Sequence, residues 1–310
     1  MDDVPLGAKT PDSARLVSFD AIMPAAMAAR AEETGVRKAS IDPLTLLALS
    51  ILAGAFISFG AIFATTVSAG SIAFKSADGA AALSGELPYG MVRLLSGLAF
   101  SLGLILVVVA GAELFTGNNL IVIAWASGRV KLRALLINWV IVFVGNSVGA
   151  LATAVLMFYT TQYTFGGGAI GLAALATASG KASHEFGPNL ALGMMCNVLV
   201  CLGVWMCYSA RSTFDKVMAI VPPVSAFVAA GFEHCIANVY YIPLALLIKA
   251  EAPNSFWTSI GKTADDFPAL TWSNFLLGNL IPVTIGNIIG GAVMVAAIYW
   301  FIYLRKNRIE

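Results

Sequence analysis

"AGFEHCIAN", residues 230–238, repeats a pattern already used at "AGAELFTGN", residues 110–118; both read A-G-x-E-x-x-x-x-N. Each acid sits in a run that offers it neither water nor a counter-charge. From Leu94 to Gly128 there are 35 residues whose sole charge is Glu113, and from Val217 to Ile248 there are 32 whose sole acid is Glu233. A straight helix of either length rises about 50 Å and overruns a hydrocarbon core of ~30 Å, yet neither run holds two spans of ~20 residues. Each therefore predicts a helix interrupted in mid-membrane. Broken backbone is tolerated there only where protein or a water-lined cavity surrounds it.

The rest of the chain agrees with a membrane setting. Of 310 residues 59% are hydrophobic and 11% charged, against roughly a quarter charged in soluble domains. The mean hydropathy is +0.84. A net charge of +1 gives no bulk attraction to nucleic acid. The four cysteines lie in apolar segments without metal or disulfide spacing and read as small buried hydrophobes, so neither a metal nor a cofactor is expected. Six spans are predicted, near Leu44–Val67, Tyr89–Val122, Ala134–Tyr159, Pro188–Tyr208, Val217–Ile248 and Trp272–Tyr303. Thirteen of the eighteen Lys and Arg residues fall in the two terminal segments and in the loops after spans two and four. By the positive-inside rule both termini are expected in the cytoplasm. Residues 1–43 form a cytoplasmic segment, 44–304 the transmembrane unit and 305–310 a short tail. Before span one, Ile22, Met23, Ala26 and Met27 give an apolar side, which reads as an interfacial helix or as a plain extension.

The echo extends beyond the two breaks. "NWVIVFVGNSVGA" (138–150) and "NLIPVTIGNIIGG" (279–291) share N-x6-G-N-x2-G, and "LALSILAGAFISFG" from Leu47 matches "LALGMMCNVLVCLG" from Leu190 in L-A-L and a glycine thirteen on. Spans one to three thus match spans four to six, with repeats at about 44–160 and 188–304. Three is odd, so the copies have opposite orientation. The fold class is an all-α membrane protein of six transmembrane helices built as a 3+3 inverted repeat, helices two and five broken. In such folds the solute path lies at the repeat interface near the midplane. The third spans also carry Gly145-x3-Gly149 and Gly286-x3-Gly290, a spacing for close helix packing.

An ionisable group at mid-membrane is a functional candidate by default. Glu113 and Glu233 obey the repeat, which favours a structural role, such as satisfying the N–H groups of the new helix start. His234 breaks the repeat, since its counterpart is Leu114. An imidazole titrates near neutrality and passes protons either way, although a lone buried histidine is also a common satisfied core residue. Thr116 and Asn197 are candidate partners for it. Lys181, in "SGKASHEF", reads either as an anion collector at an outer vestibule or as a snorkelling interface lysine. No nucleophile–base pair is evident, so an enzyme is not expected.

Together "PAAMAARAEETGV", "FSLGLILVVVAGAELFT", "SGKASHEF", "GFEHCIAN" and "NLIPVTIGNIIGG" resemble the formate/nitrite transporter family, most of all its formate channels. The resemblance covers nearly the whole chain. It implies a homopentamer with one pore per protomer, an aquaporin-like fold, and passage of formate, nitrite, hydrosulfide and similar anions across the bacterial inner membrane. It makes His234 the central histidine, Thr116 the loop threonine, Asn197 the pore asparagine and Lys181 the vestibule lysine. Phe100, Leu104, Leu114 and Phe227 become an apolar slit. An unpaired carboxylate crosses such a slit only at prohibitive cost. Transient protonation at His234 removes the charge, an uphill transfer of roughly 3 kcal/mol in water. A channel that conducts the bare anion is the rival within the family, and a membrane scaffold or sensor with a cytoplasmic partner is the rival outside it.

Overall fold

The computed structural model describes residues 20–70, 72–74, 83–85 and 87–305. Most of the predicted cytoplasmic tail and the first nineteen residues lie outside them. Helix α1 (Pro24–Ala39) precedes α2 (Pro43–Ser68), which opens on a proline and is capped by Asp42, whose carboxylate accepts from the Thr45 amide at 3.0 Å. A two-stranded antiparallel ribbon, β1 (Ile72–Phe74) with β2 (Leu83–Gly85), sets Ile72 opposite Gly85. Then come α3 (Tyr89–Gly111), α4 (Phe115–Ala126) and α5 (Leu132–Tyr159).

The second half begins with α6 (Ala169–Ser183), followed by α7 (Phe186–Cys207), α8 (Thr213–Ala229), α9 (Cys235–Glu251), α10 (Asn254–Ile260) and α11 (Asn274–Tyr303). Among the described residues five helices are long and apolar enough to cross a bilayer: α2, α3, α5, α7 and α11. The pair α9–α10, bent by 111°, raises the count to six. The interruptions fall where the acids predict them. α3 stops at Gly111 and α4 starts at Phe115, while α8 stops at Ala229 and α9 starts at Cys235. Large apolar side chains such as Val140, Leu156 and Phe301 are more than half exposed on the outside, as a multi-pass membrane protein requires.

The paired glycines bring helices into backbone contact. A Cβ on Gly149 of α5 would strike the Ile51 carbonyl of α2, and one on its repeat twin Gly290 of α11 would strike the Met194 carbonyl of α7. The repeat also reaches further than the matched spans. α1 and α6 occupy corresponding places, each ending in Lys-Ala-Ser (38–40 and 181–183) and each presenting its lysine to one of the breaks. α6 is a helix that the six-span reading does not contain. On α1 the covered face is Met27, Ala28, Ala31 and Gly35, packed against residues 120–124 beside the α4–α5 turn, and Met23 stays exposed.

Candidate functional site: a pore between two vestibules

Both breaks are built by the same devices. Gly111 (φ +84°) and Gly231 (φ +78°) adopt the left-handed conformation that ends a helix and suits glycine. The extended residues that follow are stapled by asparagines. Asn146 Nδ2 donates to the Ser50 and Glu113 carbonyls at 2.7 and 2.9 Å, and its Oδ1 accepts from the Phe115 amide at 2.8 Å. Asn287 repeats this with the Gly193 and Glu233 carbonyls at 2.8 and 2.9 Å and the Cys235 amide at 3.0 Å. The freed backbone is thereby paired inside the protein, which makes a break in lipid tolerable.

The two acids do something other than cap these helix starts. Glu113 accepts from Lys38 Nζ at 2.7 Å and from Asn118 Nδ2 at 2.8 Å. Glu233 accepts from Lys181 Nζ at 3.0 Å and from Asn238 Nδ2 at 2.6 Å. Asn138 and Asn279 close each cluster, accepting from Asn118 and Asn238 and donating to the Lys38 and Lys181 carbonyls. The carboxylates therefore serve as counter-ions for two lysines, and the amide acceptors satisfy the helix starts. Nor does Lys181 snorkel. Its side chain is 16% exposed, held between Glu233 and the Tyr241 ring, whose centroid is 5.6 Å away.

His234 is buried at the start of α9. Its Nδ1 accepts from the Ala237 amide at 3.3 Å, and its Nε2 lies 3.1 Å from Thr116 Oγ1. With Nδ1 used as an acceptor, the proton of the neutral ring is on Nε2, directed at the threonine. The Phe227 ring stacks on the imidazole at 6.2 Å between centroids. Asn197 does not bond to the imidazole. It donates to the Thr116 carbonyl, Asn119 Oδ1 and the Asn287 carbonyl at 3.3, 3.0 and 2.6 Å, fixing the loop that carries Thr116.

Two cavities approach this point from opposite ends. One of about 330 Å³ is lined by Lys181, Arg93, Phe100, Phe227, Glu233 and His234. The other, about 400 Å³, is lined by Lys38, Arg37, Lys216, Leu104, Glu113 and Leu114. Between them Phe100 and Phe227 meet edge to face at 5.7 Å, and Phe100, Leu104, Leu114 and Phe227 are all buried. The arrangement is two chambers that each carry charged side chains, separated by buried apolar residues, with the His234–Thr116 pair beside them. His184 is exposed at the rim of the first cavity. Lys38 and the asparagine pairs 138/279 and 146/287 are site residues that motif reading passes over. Their signals are Lys-Ala-Ser at 38–40 and 181–183, and the two asparagines inside each N-x6-G-N match.

Residues 25–301 match the family model described as formate/nitrite transporter. The formate channel FocA of Escherichia coli is 48% identical over 289 residues, covering 93% of this chain and 97% of the relative. The formate channel FocB of the same species is 40% identical over 94% of this chain and 98% of its own length. Among solved structures, a pentameric formate channel with formate bound superposes with a TM-score of 0.77 at 46% identity, covering 85% of this chain and 98% of that one.

Proposed function

This chain belongs to the formate/nitrite transporter family, and from that premise we propose that it is a formate channel in which each protomer of a homopentamer carries its own pore. It is a multi-pass membrane protein that passes a solute rather than converting one. Its setting is the bacterial inner membrane, with both termini in the cytoplasm on the charge bias of its loops.

What supports the reading is the single apolar constriction beside a buried histidine, reached from both ends by a chamber with its own lysine. Lys181 and Lys38 concentrate small anions at the two mouths, as cationic clefts do. Each lysine is balanced by a glutamate, so it draws an anion in without trapping it. At the constriction the carboxylate loses water and meets the Nε2 side of His234, because Nδ1 is occupied by the Ala237 amide. The donor is the imidazolium: once Nδ1 has taken up a proton in place of the Ala237 bond, the ring gives its Nε2 proton to the carboxylate and returns to neutral imidazole. The neutral acid crosses Phe100, Leu104, Leu114 and Phe227 far more cheaply than the ion. An imidazole protonated on both nitrogens gives up the Ala237 bond, so loading and unloading of the proton is felt at the first turn of α9.

The test is formate-driven proton movement in proteoliposomes. His234→Phe is expected to lower it roughly a hundredfold or more, the scale of a lost acid–base group, while the pentamer remains intact on size exclusion. Undiminished coupled proton flux in that variant would refute the role of the histidine. Formate currents without any pH change would select the bare-anion channel instead.

A further inference from the structure

The two mouths share a lysine, a glutamate and an asparagine, yet they differ sharply in charge. Along α1, Arg30, Thr34, Arg37 and Lys38 stand at i, i+4, i+7 and i+8, one stripe of the helix, and all four line the larger cavity. In the register that pairs Lys38 with Lys181, the second copy has Ala173, Thr177, Gly180 and Lys181. Threonine and lysine are kept on both sides, and the arginines stand on one side alone. Lys216, from the first turn of α8, adds a further cation there. At the other mouth Arg93, near the start of α3, is committed to the backbone and donates to the Ala229 carbonyl at 3.2 Å and to the Val228 carbonyl.

Among the described residues the surplus has no internal balance: Glu113 is the only acid of these that lines the cavity, and Lys38 already holds it at 2.7 Å. Arg30 donates to the Tyr208 carbonyl at 3.0 Å, a neutral acceptor. Among the described residues, the side chains of Arg37 and Lys216 have no hydrogen-bond or ion-pair partner. Three unneutralised cations around about 400 Å³, a volume within the range of small-ligand sites, repel one another until an anion enters.

We propose that this mouth is a binding site for a compact anion of two or more charges, of the phosphate or pyrophosphate type, and that the bound anion plugs the pore from that side. Charge number sets both halves. A dianion is drawn twice as strongly as formate by the same cations, and guanidinium groups match phosphate oxygens in bidentate geometry. It cannot follow formate inward, because one proton leaves it charged at an apolar constriction. It therefore rests against Leu104 and Leu114 and occludes the path. Binding does not depend on whether the pore conducts formate, whereas block does.

Pyrophosphate and orthophosphate would be titrated calorimetrically into the purified full-length pentamer in nanodiscs of neutral phosphatidylcholine, and again with phosphatidylglycerol included. Saturable pyrophosphate binding in both lipids is expected, weakened at least tenfold in Arg37→Gln/Lys216→Gln. No binding, or binding unchanged by the substitutions, overturns the site. Loss of binding only with phosphatidylglycerol overturns the soluble ligand in favour of a lipid phosphate. Should the double variant fail to assemble, sidedness in the unaltered protein decides. In proteoliposomes, pyrophosphate should block formate-driven proton movement only from the face where an N-terminal tag is reached by its antibody. Equal block from both faces would defeat the proposal.

Discussion

Lys181 and Glu233 show how a charged pair is retained inside a protein that faces lipid. Their side chains are 16% and 3% exposed, and the glutamate also takes the amide of Asn238. Removing one partner strands the other in a medium that solvates it poorly, a larger loss than the net value of the pair. Lys181→Met is therefore expected to cost about 3 kcal/mol, and Lys181→Met/Glu233→Gln to cost clearly less than the single change. Thermal unfolding of the solubilised pentamer across the four members of this cycle measures it, and additive losses would show the pair to be uncoupled. This pairing was not legible beforehand. Glu113 and Glu233 announce themselves as acids in apolar runs, but Lys38 lies 75 residues from Glu113 and Lys181 lies 52 from Glu233. Nothing in the spacing of such remote residues reports contact. The same holds for Asn197, whose position near the histidine loop is legible while its bond to the Thr116 carbonyl, rather than to the imidazole, is decided by packing.

Helices in this fold are placed by backbone contact, so the small residues at their crossings carry stability. A methyl group on Gly149 meets not only the Ile51 carbonyl oxygen but also its carbon at 2.9 Å and the Ala55 nitrogen at 3.0 Å. Backbone cannot turn aside as a side chain can, and Gly149→Ala should lower stability by about 2 kcal/mol. Gly278→Ala, where nothing lies within 4 Å, is the matched control and should show no loss by the same melting measurement. A second element-level test concerns the start of α8, outside the membrane. Ser212 and Asp215 form a reciprocal cap, and the amides of Arg211 and Ser212, followed by the Ser212 hydroxyl, hold the Asp215 carboxyl below the usual aspartate range. A depressed folded value means the cap stabilises fully above the unfolded value of about 3.9 and is lost as pH falls through the folded one. The acid-side decline in melting temperature below about pH 4 should accordingly be shallower in Asp215→Asn, which has no charge to lose. Identical slopes would show that this cap does not couple to unfolding.

At the scale of the whole molecule, spans and breaks were readable because lipid imposes its demands on composition: long uncharged runs, glycine where a helix ends, and charges gathered at one face. Helix α6 was not, because "AIGLAALATASGKAS" is short, small-residued and part of the same uncharged stretch, 134–180, as the span before it. Yet α6 and its twin α1 turn a six-helix bundle into one with a cationic chamber at each end. Those chambers make a prediction about the assembled channel. Cations at a mouth enrich a monovalent anion over distances set by the Debye length, which shrinks from about 30 Å at 0.01 M salt to about 8 Å at 0.15 M. The constriction, by contrast, is lined by buried apolar side chains, where mobile salt does not screen. Adding an inert salt of a bulky impermeant anion, such as gluconate, should then raise the formate concentration for half-maximal flux several-fold while leaving the maximal rate within about twofold. Initial rates of formate entry into proteoliposomes at a series of formate and salt concentrations separate the two quantities. If half-saturation stays fixed as salt rises, the lysines act only as structural partners of Glu113 and Glu233. If the maximal rate falls instead, charge at the mouths governs the crossing itself and the constriction is not the unscreened barrier its Phe100, Leu104, Leu114 and Phe227 lining implies.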